Sequence, residues 1–251
     1  MRFDVFLLGM FFILAACSST KELQHKLCDN RVGLGYELET ESYAGPRART
    51  VVMKEVGASN MNHRTWVRQQ KTVLVPLVLF NYRKAMFDVE LGEQSLDTPY
   101  RDFFLNALYA ESGHSGRFRL QSELPEVMND SVYILEIYFD SIATRGQIKY
   151  LESVVLWFDE DLNFGQGTLE NFNYSLKNVA SRIGAHIALY KGAQCVLRKS
   201  YDISLQLSCR LRRTDLSSFS FYSMQELGNS LSCTTRALVE TIVQELNMLL
   251  Q

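Results

Sequence analysis

Oxygen-bearing side chains stand at positions 1, 3, 5 and 12 of the stretch Asp159-Glu160-Asp161-Leu162-Asn163-Phe164-Gly165-Gln166-Gly167-Thr168-Leu169-Glu170. Hard oxygen donors at that spacing suit calcium, which makes Asp159, Asp161, Asn163 and Glu170 candidate ligands. The pattern departs from its ideal at position 6, where Phe164 replaces the glycine of the sharp turn, and the residues before it are β-formers. An acidic, glycine-containing connection between two strands is the stronger reading. Nucleophilic chemistry is less well supplied. Gly113-His114-Ser115-Gly116 sets a histidine beside a serine, but chain neighbours do not make a triad and no Gly-x-Ser-x-Gly elbow occurs. The histidines His25, His63, His114 and His186 keep no metal-ligand spacing to the cysteines. Gly33-Leu34-Gly35 and Gly165-Gln166-Gly167 lack the rest of a phosphate-cradling fingerprint. No catalytic set emerges, and an enzyme is not expected.

The remaining reactive group is the thiol of Cys17. It follows one arginine, Arg2, an apolar run from Val5 to Leu14 broken only by Gly9, and the small residues Ala15 and Ala16. That is the layout of a secretory signal peptide, and the run is too short to span a bilayer. Leu14-Ala15-Ala16-Cys17 resembles the lipobox of bacterial lipoproteins. The resemblance implies loss of residues 1–16, transfer of a diacylglycerol to the Cys17 sulfur and N-acylation with a fatty acid such as palmitate. Cys17 is then an anchor whose partner is the lipid bilayer. At about 0.8 kcal/mol per buried CH2, two or three chains hold what one chain binds only reversibly. Ser18 stands where aspartate retains some such lipoproteins in the inner membrane, so the resemblance points to the outer membrane with the body facing the periplasm.

The elements that would be carried by this anchor are legible in part. Of 251 residues, 47% are hydrophobic and 12% aromatic, which fits a folded globular chain. A formal charge of −2 with interspersed signs gives no electrostatic footprint for nucleic acid. Residues 17–31 are polar and read as a tether, and residues 32–251 as a single body with an N-terminal extension at 32–71. Leu34, Tyr36 and Leu38 alternate with polar residues, and with Thr50 to Met53 they predict two short strands around Ala44-Gly45-Pro46. The apolar run Val73 to Phe80 predicts a strand, placed at an edge or bulged by Pro76. Met86 to Leu91 is a second, closed by Gly92. Thr98 as N-cap, Pro99 at the first helical position and Gly113 as stop predict a helix, followed by a strand at Arg117 to Leu120. Val132 to Ile142 and Ile148 to Phe158 read as two paired strands turned at Arg145-Gly146-Gln147. After a polar loop that follows Phe158, a hairpin turns at Lys191-Gly192 between Arg182 to Tyr190 and Ala193 to Leu207. Met224 to Leu250 predicts a long amphipathic helix with Gly228 as a kink. The fold class is α+β: a mostly antiparallel sheet with a β-α-β unit and a long C-terminal helix packed on one face. Cys28, Cys195, Cys209 and Cys233 allow three disulfide connectivities or four free thiols, with Cys209 to Cys233 the favoured pair if one forms.

From Val73 onward this element order is similar to two families of envelope lipoproteins: the auxiliary lipoproteins of ABC-type lipid transport systems, and the lipopolysaccharide-assembly lipoprotein that plugs an outer-membrane barrel. The resemblance implies an outer-membrane-anchored periplasmic protein that acts by binding, as an accessory component in lipid or envelope-component transport or assembly, with protein partners in an envelope complex. A different class, a cell-surface binder of ligands or glycans, would use aromatic residues such as Trp66 and Trp157 as its platform.

Overall fold

The computed structural model describes residues 21–76, 80–123, 132–158, 164–213 and 215–250, with side chains in 72–83 and 152–173 outside the description. Helix α1 covers residues 21–29. There follow β1 (Arg49–Val56), β2 (Trp66–Pro76), β3 (Phe80–Glu90), a 3-10 turn (Glu93–Ser95), α2 (Tyr100–Ser115), β4 (Phe118–Gln121), β5 (Val132–Phe158), β6 (Phe164–Lys191), β7 (Gln194–Leu207), β8 (Leu211–Arg213) and α3 (Leu216–Leu249). All eight strands form one sheet, mostly antiparallel, with parallel pairs only where β1 meets β4 and β5. The chain is α+β, with α3 packed against β5 to β8 and α2 against β4 and α3.

Strand β5 is the spine. One edge pairs with β1 through residues 132–137 and with β3 through residues 145–155, and the other pairs with β6 along nearly its whole length. Its inward residues are Leu135, Ile137 and Phe139, then Ile142, Ile148 and Tyr150, all buried. The set passes from odd to even numbers because the register slips between Phe139 and Ser141, and a bulge returns the same face to the core. On β6 the inward set is Tyr174 and Leu176, then Val179, Ile183, Ala185, Ile187 and Leu189. Here the change of parity falls at Asn178, which adopts φ 53, a conformation Asn tolerates better than most residues.

Several expectations are corrected. Residues 21–29, read as tether, are helical and bury Leu23 and Leu27 in the core. The first of the two early strands is absent: residues 33–48 form an irregular strap, and only β1 is extended. Val73 to Phe80 is not one strand, since Pro76 pairs with Asn81 across a β2–β3 hairpin. Its edge position holds, because β2 ends the strand order. Arg145-Gly146-Gln147 is not a turn but a second register slip inside β5. A Cβ on Gly146 would lie 2.9 Å from Leu176 Cδ1, so glycine serves close packing there. The stretch between Phe158 and Arg182, read as a polar loop, is β6 from Phe164 onward. The β-α-β unit closes on β1, the parallel neighbour of β4, and not on β3. Gly228 packs against Val32, whose Cγ1 would be 2.1 Å from an added Cβ. All four described cysteines, Cys28, Cys195, Cys209 and Cys233, are free.

The β6–β7 hairpin turns at Gly192 (φ 58), as the sequence predicts. Helix α2 starts one residue later than expected, with Pro99 as its N-cap, and runs through Gly113 to Ser115. A Cβ on Gly113 would meet nothing within 4 Å, so the glycine only weakens the helix. Gly113→Ala is expected to stabilise the protein by roughly 0.5–1 kcal/mol. A thermal melt that does not rise would contradict this.

Candidate functional site

Two of the buried polar assemblies are built around a carboxylate. The Glu111 side chain is fully buried on α2 and accepts hydrogen bonds from Tyr36 Oη at 2.8 Å, Thr40 Oγ1 at 2.5 Å and Ser115 Oγ at 2.5 Å. Burial first, and then the hydrogen bond to Glu111, push the Tyr36 phenol well above its usual range. Glu240 on α3 is also pushed up, by burial and then by the charge of Glu111, with Arg236 opposing. Arg236 pairs in turn with Glu39 of the strap, so the group clamps residues 36–40 across both helices. The second assembly holds Glu90, which accepts from Arg145 Nε at 2.7 Å and from Asn62 Nδ2. Neither assembly sets a nucleophile against a base. His114 Nε2 lies 2.9 Å from the Thr40 carbonyl and Ser115 faces Glu111, so the His114–Ser115 neighbours serve the clamp.

The outer face of the sheet is different in kind. Registers place Met86, Lys149, Ser175 and Arg212 in one row across β3, β5, β6 and β8. Lys84 and Lys177 sit two residues along β3 and β6 on the same face, so four cations meet there. Partial burial and then the charges of Lys84, Lys177 and Arg212 hold the Lys149 ammonium below its usual range. Beside this row, β6 changes partner. It pairs with β8 up to Leu176 and with β7 from Val179, so Lys177 and Asn178 have no ladder pair on that side. The gap opens as a notch of about 550 Å³ whose polar lining includes Ser175, Lys177, Asn178, Ser208, Arg210 and Arg212. Asn178 Nδ2 is held at 2.7 Å by Gln147 Oε1. Such a notch can bind an anion through ammonium, guanidinium, hydroxyl and backbone donors at once.

Leu14, Ala15, Ala16 and Cys17 lie outside the described residues, as do Asp159, Asp161 and Asn163. Glu170 belongs to β6, and the backbone runs extended from Phe164, which pairs with Phe158. At about 3.3 Å per residue the six steps from Phe164 to Glu170 carry the chain some 20 Å away. The calcium pattern needs one continuous wrapped loop, and its second half is strand. Of the two tryptophans of the expected platform, Trp66 is half-buried in β2, and the Trp157 side chain lies outside the described residues. The notch was missed because its cations come from β6 and the 210–212 segment, with Lys84 and Lys149 added by two further strands. Only Arg210-Leu211-Arg212-Arg213 clusters in the sequence itself.

No family model matches this chain, and no curated protein matches it. Among solved structures, the chain is similar to a Xanthomonas campestris protein assigned to the DUF330 family, with 14% identity over 85% of this chain and 94% of that one and a TM-score of 0.37. It is also similar to a Helicobacter pylori protein described as a homolog of neuraminyllactose-binding hemagglutinin, with 11% identity over 84% and 92% of the two chains and a TM-score of 0.30.

Proposed function

We propose that the chain is a lipid-anchored envelope protein that acts by binding, as an accessory component in lipid or envelope-component transport or assembly, held at the outer membrane and facing the periplasm. The observation that carries this is how closely the folded body follows the anchor. Packed helix is present from Lys21, the first described residue, with Leu23 and Leu27 in the core, so at most residues 18–20 separate Cys17 from the body. Four residue steps reach at most about 14 Å. A body on so short a lead is held against the membrane, where its open polar sheet face can meet lipids or membrane-bound partners.

The test has two parts. Cys17→Ser should abolish acyl labelling and move the processed protein from the membrane to the soluble fraction, and undiminished membrane retention of the processed variant would sink the anchor. In-cell crosslinking followed by partner identification should recover components of an envelope transport or assembly system. Their absence among the crosslinked proteins would count against the accessory role.

A further inference from the structure

We propose that the notch between β7, β8 and the Lys177–Asn178 step of β6 binds a phosphate group, carried by the headgroup of an anionic lipid or supplied as free phosphate. The proposal deepens the binding role above and rests on it only for the source of the phosphate.

The charge balance is the first argument. Lys177, Arg210 and Arg212 line the notch, Lys84 and Lys149 stand on the adjoining row, and no aspartate or glutamate lines it among the described residues. Asp88 lies opposite Gln147 in the row of Lys177 and already accepts from Gln70 Nε2, and Glu226 is engaged with the Cys209 thiol behind the lining. None of these five cations forms an ion pair among the described residues. Like charges so gathered repel one another, and at Lys149 they add to the larger effect of partial burial in lowering its proton affinity. A bound anion removes that cost, so the site is energetically prepared for one.

Geometry narrows the anion. Two guanidinium forks, an ammonium, the Ser175 and Ser208 hydroxyls and the unpaired edge of Lys177–Asn178 offer donors from several directions, which suits tetrahedral phosphate oxygens better than a planar carboxylate. A volume of about 550 Å³ leaves room for an ester substituent beyond the phosphate itself. Exposed apolar surface lies on the first turns of α3, where Phe221 and Tyr222 are 47% and 43% exposed; the Arg213 guanidinium, next in the chain to Arg212 but on the other face of β8, sits 4.8 Å over the Tyr222 ring. Aromatic rings beside cations match the boundary between headgroup and acyl chain. The anchor side agrees, because α1 runs beside this end of α3. Asn30 Nδ2 donates to Ser220 Oγ at 3.1 Å, and the Asp215 carboxyl is held below its usual range first by hydrogen bonds from Ser218 and least by the charge of Lys26.

Calorimetric titration of the full chain with inorganic phosphate and with monomeric dihexanoyl phosphatidylglycerol tests the proposal. Binding of at least one probe is expected, with Lys177→Glu/Arg212→Glu weakening it on the order of 100-fold, about tenfold per reversed charge. Arg101→Glu/Lys191→Glu makes the same change in net charge at exposed positions away from the notch and should leave binding intact. Tighter binding of the lipid assigns a headgroup, and equal affinities assign free phosphate. If the double variant fails to fold, Lys177→Gln should still weaken binding. Absence of binding by both probes, or equal losses in the notch and control variants, would overturn the site. A chain that binds phosphate yet crosslinks to no envelope component would instead overturn the accessory role.

Discussion

Replacing Gly92 by alanine is expected to destabilise the protein by about 3 kcal/mol, the top of the range for forcing extra volume into a packed interior. The backbone at Gly92 is ordinary, with φ −104 and ψ 154, so strain in the new residue is not the cause. The cause is what an added Cβ would meet: the Arg64 carbonyl carbon and the Thr65 nitrogen, both at 2.1 Å. A side chain could rotate away, but a peptide unit cannot. The Arg64–Thr65 peptide would have to move, and it is held on all sides. Gly92 N donates to Thr65 Oγ1 at 2.8 Å, Thr65 Oγ1 lies 2.8 Å from Ser95 Oγ, Glu93 N donates to Asn62 O at 2.8 Å and Gln94 N to His63 O at 2.9 Å. Moving the peptide therefore loosens the junction between β3, the 3-10 turn and the entry to β2. Urea unfolding followed by circular dichroism reads this as a lowered midpoint, with Gly113→Ala as the matched glycine in open space. A midpoint equal to that of the unsubstituted protein would show that the junction yields freely.

The contrast between these two glycines illustrates what the sequence could and could not express. Both stand beside polar residues and both read as punctuation, but their roles depend on neighbours far along the chain. The same limit explains the strands. Periodicity located β4, the β6–β7 hairpin and α3, because each keeps one inward parity or one helical face, whereas β1 is legible only as a run of β-formers, since Val51, Val52 and Met53 are all buried and the register shifts after Met53. It failed on β5 and on the first half of β6, where bulges near Phe139 and Asn178 reverse parity within a continuous ladder. Arg145-Gly146-Gln147 looks like a turn in the sequence, but β5 runs through it in unbroken register with β3, and the extra residue of the slip belongs to β6. Helix α1 was misread for a different reason: only Leu23 and Leu27, a single i, i+4 pair, face the core, and nine residues show too little period to register. The candidate site was illegible because register, not proximity in sequence, brings Lys149 and Lys177 together with Arg212.

Glu111→Ala should cost about 3–5 kcal/mol, as expected when one member of a buried charged network is removed. The side chain is fully buried, and its two oxygens take three hydroxyl donors from two separate parts of the chain: Tyr36 and Thr40 from the strap, Ser115 from the end of α2. Alanine leaves the Tyr36 and Thr40 hydroxyls without this acceptor, leaves Ser115 Oγ only the residue 111 carbonyl at 3.2 Å, and removes the buried one of the strap's fastenings to α2. Tyr36→Phe alone takes away one donor and should cost about 1 kcal/mol. If the two groups act together, the double variant will be less destabilised than the sum of the singles, since Tyr36 has nothing left to lose once Glu111 is gone. Glu111→Gln separates geometry from charge: its carbonyl can still accept from Thr40 and Ser115, and its amide can donate to the Tyr36 oxygen, so a loss smaller than that of alanine is expected. Proteolysis offers an independent reading, because a released strap exposes residues 33–48 to cleavage while the sheet stays folded. An alanine variant with an unchanged urea midpoint and a protected strap would mean that packing of Leu34 and Tyr36 against the core holds this segment without the carboxyl group.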